Sequence, residues 1–85
     1  MKIFNDRQVR ELIGLHLQRV WLASQLIRSL HNPEYDWFEV KLFNLIFKAD
    51  RSNQKKIEKG FPQHMVLYRQ YMTKGERWLK KVYNL

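Results

Sequence analysis

Few side chains in this chain of 85 residues have the type and spacing that chemistry requires. The three histidines, His16, His31 and His64, are scattered over separate predicted elements, which does not suit a metal-ligand pair on one helix. Asp36 and Glu39 are close enough to share a face near a helix start, where the helix dipole favours acids. Cysteine is absent, so the sequence offers neither a thiolate ligand nor a thiol nucleophile. We therefore predict a protein that is not an enzyme and holds no cofactor or metal.

Positive charge is unevenly distributed along the chain. Residues 1–47 contain six Lys/Arg and five Asp/Glu, a net charge of +1, and residues 48–85 contain ten and three, a net charge of +7. On a helix, Arg51, Lys55 and Lys59 follow the spacing i, i+4, i+8 and form one exposed row, with Lys48 a turn earlier and Lys56 beside it. Because like charges in one row repel one another, the row adds nothing to stability, and two explanations stay open: contact with a partner, or a face that only keeps the short helix solvated.

A second basic cluster is predicted at the C-terminal end of the sequence. It consists of Lys74, Arg77, Lys80 and Lys81, interleaved with Trp78 and Tyr83. Basic residues near aromatic ones can neutralise phosphates and stack on bases or on flat protein surfaces. The alternative is that the lysines only keep the surface solvated and that Trp78 anchors the core.

The element that precedes these clusters is a long amphipathic helix. Asn5 followed by Gln8 has the spacing of a capping box, and Phe4 can pack on Val9 as a hydrophobic staple. His31-Asn32-Pro33 should end the helix, with Asn32 capping the next element and Pro33 in its first turn. The predicted inward stripe consists of Val9, Leu12, Ile13, His16, Val20, Ala23, Ile27 and Leu30. Gln25 and Ser29 are predicted on the outer face. Because His16 falls within the stripe, we predict that it is a buried hydrogen-bonding residue.

Three or four further helices follow. Residues 34–49 form one that is apolar around most of its circumference, residues 51–59 a short one that Gly60 ends in the left-handed conformation, and residues 62–73 one that Gly75 stops. In this last helix Met65, Tyr68, Tyr71 and Met72 make the predicted inward stripe. A turn or two more, docked by Trp78 and Leu79, completes the chain. The fold class is thus all-α: one domain over residues 1–85, a compact bundle of four to five helices whose first helix is long.

The apolar second helix leaves two possibilities open. It is either the central helix of the core or shared with a second copy of the chain. The side chains that would form such a homodimer contact are Phe38, Leu42, Phe43, Leu45 and Ile46.

The sequence around the third helix resembles a pattern common in short uncharacterised proteins of bacteriophages and prophages. The pattern reads Lys-Ala-Asp, Asn, Leu or Ile, then Gly-Phe-Pro and an apolar residue, and its positions here are Lys48, Ala49, Asp50, Asn53, Ile57, Gly60, Phe61, Pro62 and Met65. It covers roughly a quarter of the chain. The acidic stretch usual after the proline is replaced by Gln63 and His64. The resemblance implies a small accessory protein of a phage or mobile element that acts in the bacterial cytosol.

Three functions are compatible with these features. The first is a non-enzymatic binding protein that docks its basic half on nucleic acid or on an acidic surface of a host nucleoprotein. The second is an inhibitor of a bacterial defence system, of anti-CRISPR type, that binds a host effector protein. The third is a structural protein that oligomerises. The sequence shows no apolar run long enough for a membrane span and no signal peptide, so we expect a cytoplasmic protein without a membrane partner.

Overall fold

The first helix begins at the cap that the sequence predicts. In a computed structural model, which describes residues 5–85, helix α1 spans Asp6–His31. The side-chain oxygen of Asn5 accepts a hydrogen bond from the Gln8 backbone N–H (2.8 Å), and the Gln8 side chain accepts one from the Asn5 N–H (3.0 Å). The capping box is therefore confirmed. The predicted contact of Phe4 with Val9 lies outside the described residues.

Four shorter helices follow α1 and confirm the predicted fold class. They are α2 (Phe38–Lys48), α3 (Arg51–Gly60), α4 (Pro62–Lys74) and α5 (Glu76–Val82). Residues 5–85 contain these five helices and no strand, and α1 is the longest, with 26 residues. At 1.5 Å per residue α1 is about 39 Å long, close to the 44 Å long axis of the molecule. None of the five helices combines the length and the apolar character that a membrane crossing requires.

Three predictions about helix ends are wrong. Helix α2 begins at Phe38 and not at residue 34, because Pro33 lies in a turn before the helix. The Pro33 carbonyl accepts a hydrogen bond from the Asn44 side chain (3.0 Å). Asn32 ends α1 instead of capping α2: its N–H donates to the Arg28 carbonyl. Gly60 is the last residue of α3 and does not have a positive φ. The glycine with that conformation is Gly75, where φ is +88° between α4 and α5.

A single cluster of buried side chains joins the helices. Its fully buried members come from α1 (Leu22, Ala23, Leu26), α2 (Leu42, Phe43, Ile46), α4 (Met65, Leu67) and α5 (Leu79), together with Tyr83 just after α5. Helix α3 contributes no fully buried residue, and its Ile57 only packs against the edge of the cluster. Helix α3 is therefore the outermost element, and most of its surface is exposed.

The face that α1 turns to the core differs from the predicted one. Gln25 and Ser29, predicted on the outer face, are buried, whereas His16 and the predicted core residues Val9 and Ile13 are exposed. The reason is that α1 has apolar residues on two nearly opposite sides, and periodicity alone does not tell which side meets the bundle. The prediction of His16 as a buried residue is consequently wrong.

Helix α4 lies at the centre of the arrangement and packs on each of the other four helices. Its inward residues are His64, Met65 and Leu67, with Tyr68 and Tyr71 half-buried against the core. Met72, predicted in the inward stripe, is 59% exposed. Leu67 and His64 are not in the predicted stripe, because that stripe is centred on a slightly different side of α4 from the side that is buried.

Helix α2 uses its apolar residues mostly within the chain. Leu42, Phe43 and Ile46 are buried in the core, so three of the five residues predicted for a homodimer contact are occupied. The remaining two, Phe38 and Leu45, are 63% and 53% exposed. This distribution corrects the predicted dimer surface: α2 contributes to the core on one side and leaves two separate apolar side chains outside.

Two equivalent substitutions in α2 test this assignment. Leu42→Ala should lower the free energy of unfolding by about 2 to 4 kcal/mol, because it removes buried methyl groups and leaves a cavity. Leu45→Ala, the matched control three residues further along, should lower it by less than about 1 kcal/mol. The measurement is urea-induced unfolding followed by circular dichroism. Equal destabilisation by the two substitutions would show that Leu45 is as buried in solution as Leu42.

Candidate functional site

The basic residues of α3 lie on the side of the helix that faces away from the core. Gln54 and Ile57 point inward, and Gln54 donates hydrogen bonds to the Ile46 carbonyl (3.0 Å) and the Tyr68 hydroxyl (3.2 Å). The rest of the helix surface carries Arg51, Lys55, Lys56 and Lys59, all of which are exposed, as is Lys48 at the end of α2. We call these five residues the α3 basic face.

The start of α3 concentrates positive potential at one end of this face. Asp50 caps the helix by accepting a hydrogen bond from the Asn53 N–H (2.8 Å). The first turn then has no acidic residue, and Arg51 is its first member. Because a helix N-terminus already carries a partial positive charge, only the Asp50 carboxylate offsets the charge there.

Two grooves border helix α3. The first, of about 350 Å³, lies between α3 and α4 and is lined by Arg51, Gln54, Lys55, Glu58, Met65, Tyr68 and Arg69. The second, of about 440 Å³, lies between the end of α2 and α3 and is lined by Leu45, Lys48, Ala49, Asp50, Asn53, Lys56 and Ile57. The first groove is therefore mainly cationic and polar, and the second combines lysines with aliphatic side chains.

The cationic groove between α3 and α4 contains one carboxylate, that of Glu58. The Arg69 guanidinium donates a hydrogen bond to it at 2.7 Å, which lowers the pKa of Glu58 and raises that of Arg69. A lowered carboxyl pKa means that the pair stabilises the fold above the unfolded-state pKa and loses its effect as the pH falls through the folded-state value. Near neutral pH the pair therefore joins α3 to α4, and the Arg69 guanidinium of the groove is already paired with Glu58.

The second basic cluster lies at the end of α4 and on α5. Lys74, Arg77, Lys80 and Lys81 are all exposed. Among residues 5–85, Lys80 is the only member of either basic group with an ion pair, to Glu76 at 3.6 Å. Tyr83 is buried and its hydroxyl donates to Gln70 (2.7 Å), while Trp78 packs against the core. These two aromatic residues anchor α5, which agrees with the alternative given for Trp78.

The structure thus places all nine predicted binding residues on the surface but on different helices. Helices α3 and α5 each pack on α4, so the α3 basic face and the second cluster have α4 as their shared neighbour. Whether these residues bind a partner stays a prediction. The α3 basic face is the better candidate, because it adjoins grooves and has no ion pair within the described part of the chain.

A buried pair between His64 of α4 and Glu39 of α2 was not predicted from the sequence. Nε2 of His64 and a carboxylate oxygen of Glu39 are within hydrogen-bonding distance, and the two side chains are 10% and 19% exposed. The ring centroids of Phe43 and Phe61 lie 5.3 and 5.4 Å from that of the imidazole. The partners are 25 residues apart, so no local spacing could have revealed them. The pair ties α2 to α4.

The predicted pairing of Asp36 with Glu39 on one helix face is wrong. Asp36 lies in the loop before α2 and forms an ion pair with Lys41 (2.7 Å), which lowers the pKa of the Asp36 carboxyl. The same loop carries Tyr35 and Trp37, and the Arg28 guanidinium lies 4.4 Å from the Trp37 ring centroid. The loop is therefore held against α1 by a cation–π contact that has no signature in local sequence.

Histidine and carboxylate groups do not assemble into a metal site in residues 5–85. His31 is paired with Glu76 (2.6 Å), which links the end of α1 to the start of α5. Comparison of the chain with protein-family models, with curated proteins and with solved structures gives no significant match.

Removal of one partner of the buried pair should destabilise the protein. Glu39→Ala leaves the His64 imidazole without its acceptor in a largely buried position, at a cost of about 1 to 3 kcal/mol. Glu34→Ala, in the exposed loop before α2, is the control and should change stability by less than about 0.5 kcal/mol. Thermal and urea unfolding measure both variants. A neutral Glu39→Ala would mean that the pair does not join the two helices in solution.

Proposed function

We propose that this chain is a non-enzymatic binding protein that docks the α3 basic face on the phosphate backbone of a nucleic acid. The observation that carries the proposal is the arrangement of Arg51, Lys55, Lys56 and Lys59 on the outermost helix, where all four side chains are exposed. Residues 48–59 contain five Lys/Arg and two Asp/Glu, a net charge of +3. The segment is therefore cationic as a whole and attracts a polyanion.

Electrostatic cost supports a functional origin for this row. Arg51 and Lys55, and Lys55 and Lys59, are like charges at i, i+4, which destabilise a helix slightly. Helix α3 also has no fully buried residue that would compensate. Counterion release on binding to phosphates gives such a row a use that folding does not.

The shape of the site favours contact with the phosphate backbone over reading of bases. Arg51, Lys55 and Arg69 converge on the groove between α3 and α4, where phosphate oxygens can accept their hydrogen bonds. Trp78 and Tyr83, the aromatic residues predicted beside the basic ones, are engaged with the core. We therefore propose binding that depends on charge and little on sequence.

The groove between α2 and α3 favours a second candidate function. Leu45 and Ile57 lie there beside Lys48 and Lys56, and a mixture of apolar and cationic groups suits an acidic protein surface better than a phosphate backbone. In this case the chain would inhibit a host effector, as in the defence-inhibitor hypothesis. The resemblance to phage and prophage proteins supports a bacterial cytosolic setting for either function. A pull-down from bacterial lysate with and without nuclease separates a nucleic-acid partner from a directly bound protein.

The first test neutralises the α3 basic face. Lys55→Gln/Lys56→Gln/Lys59→Gln should weaken binding to duplex DNA and reduce the slope of log affinity against log salt by about one for each phosphate that the variant no longer neutralises. Stability should stay nearly unchanged, because all three side chains are exposed. Fluorescence anisotropy over a salt series measures the affinity.

The matched control removes the same charge elsewhere. Arg7→Gln/Arg10→Gln/Lys41→Gln lies on α1 and α2 and also removes three positive charges. It should retain a salt slope close to that of the unmodified protein. Equal weakening in the two triple variants would show that net charge, and not the α3 basic face, determines binding.

A second test adds affinity instead of removing it. Glu58→Gln eliminates the carboxylate of the groove between α3 and α4 and releases Arg69 from its ion pair. Affinity for DNA should rise several-fold at low salt, where repulsion by a carboxylate is least screened. Glu11→Gln, which removes an exposed carboxylate from α1, is the control. Unchanged affinity in Glu58→Gln would place the phosphates outside this groove.

A further inference from the structure

The first part of α1 has an apolar face that the rest of the described chain leaves uncovered. Its members are Val9, Leu12, Ile13, Leu17 and Trp21, and each is between 41% and 60% exposed. Val9, Ile13 and Leu17 follow the spacing i, i+4, i+8 along the middle of the face, and Leu12 and Trp21 widen it on either side. We call these five residues the α1 apolar face.

Helix α1 meets the bundle with a different side. Leu22, Leu26 and Ser29 are buried, and Leu15, a turn or two earlier on the same side, is half-buried. Ile13 and Leu17, in the middle of the α1 apolar face, point away from this side, so no rotation of α1 could bury them against the same core as Leu22 and Leu26. Leu12, at the edge of the face, lies close to the line of the buried Ala23. A helix that is apolar on two sides requires two neighbours.

The size of the face suits a protein interface. Five side chains of these types, about half exposed, present on the order of 500 Å² of mainly apolar surface, which is at the upper range for a monomer and typical of an interaction site. Two such faces together bury roughly 1,000 Å², the lower end of specific interfaces.

The charge of this part of α1 indicates what can approach it. Residues 6–21, which span the α1 apolar face, contain Arg7, Arg10 and Arg19 against Asp6 and Glu11, a net charge of +1 with histidine neutral. Arg7 and Glu11 are also paired with each other at 3.2 Å. In a chain of net charge +8, this is a nearly neutral segment, where a second copy meets little net repulsion.

We propose that a second copy of the chain covers the α1 apolar face, as an antiparallel helix pair with its two-fold axis at Ile13. In this register Ile13 meets its own equivalent, and Val9 of each copy meets Leu17 of the other. The face is therefore complementary to itself, as an isologous contact requires. This inference is independent of the proposed function.

Electrostatics favours the antiparallel direction. The residues after 47 carry a net charge of +7. Helices α4 and α5 pack on α1, and α3 packs on α4, so most of this charge lies beside the later part of α1, where its buried residues are; Tyr83 reaches back to His16, with ring centroids 6.4 Å apart. An antiparallel pair through the first part of α1 sets the two cationic bundles at opposite ends of the dimer. A parallel pair would bring them side by side, within the range of their repulsion at moderate salt.

The first experiment measures mass as a function of concentration. Sedimentation equilibrium should show a rise from the 10.5 kDa of one chain toward twice that value. Ile13→Glu should shift this transition to at least about tenfold higher concentration, without loss of helical circular dichroism, because Ile13 is 53% exposed. Gln18→Glu introduces the same charge on the exposed opposite side of the same helix and should associate normally.

The second experiment measures the register. The natural chain has no cysteine, so a single introduced cysteine gives one defined cross-linking site. With a short bismaleimide, Ile13→Cys should cross-link to itself, and Val9→Cys should cross-link to a Leu17→Cys copy more than to another Val9→Cys copy.

Four results would overturn the proposal. The first is a mass that stays at one chain over all concentrations, and the second is equal dissociation of Gln18→Glu and Ile13→Glu. The third is self-cross-linking of Val9→Cys as strong as its cross-linking to Leu17→Cys. The fourth is a single-chain mass together with binding to phosphatidylcholine vesicles. The last result would identify the α1 apolar face as a surface for lipid.

Discussion

The fold depends on α4, a helix of 13 residues that must contact all four others. Its apolar residues supply the contact area, and its polar residues form one side-chain hydrogen bond to each neighbouring element. Gln63 accepts from Arg19 of α1, His64 pairs with Glu39 of α2, Arg69 donates to Glu58 of α3, and Gln70 accepts from Tyr83 after α5. Apolar contact alone would allow the neighbours to slide or rotate, and these hydrogen bonds fix their orientation.

Local signals were sufficient to predict that the helices exist, but not where α2 begins. The capping box at Asn5, Pro62 at the start of α4 and Gly75 at its end each act through neighbouring backbone groups, and each is where the sequence predicts it. The error at Gly60 has a local cause as well. Only Phe61 separates α3 from α4, so the chain turns there through Phe61, with φ −136° and ψ 61°, and the glycine needs no positive φ.

Contacts between distant residues could not be predicted in the same way. The pairing of His64 with Glu39 and the position of Arg28 over Trp37 arise from how helices pack, and periodicity carries no information about them. The predicted inward face of α1 is wrong because Ser29 is buried while Ile13 is exposed. Ser29 satisfies its hydroxyl with the Leu26 carbonyl, so a polar residue there costs little, and polarity misled the prediction.

For the site, the sequence predicted the chemical character of the surface but not its shape. The exposure of the basic residues on α3 follows from helical spacing, because Gln54 and Ile57 are the residues of that helix suited to face inward. Arg69 and Glu58, which complete the groove between α3 and α4, come from the packing of two helices. The division of the nine predicted residues between separate helices that meet at α4 is likewise a property of the tertiary structure.

Because α5 is short, the arrangement of the positive charges at this end of the chain depends on the packing of α5 against the bundle. Seven residues are too few for a helix to persist alone in water, so α5 exists because Leu79 and Tyr83 are inserted in the core and Glu76 is joined to His31. If this segment detached, Arg77 and Lys81 would remain on the chain but would lose their fixed spacing. The cationic pattern at this end is thus a product of docking, and it persists only as long as the last helix stays on the bundle.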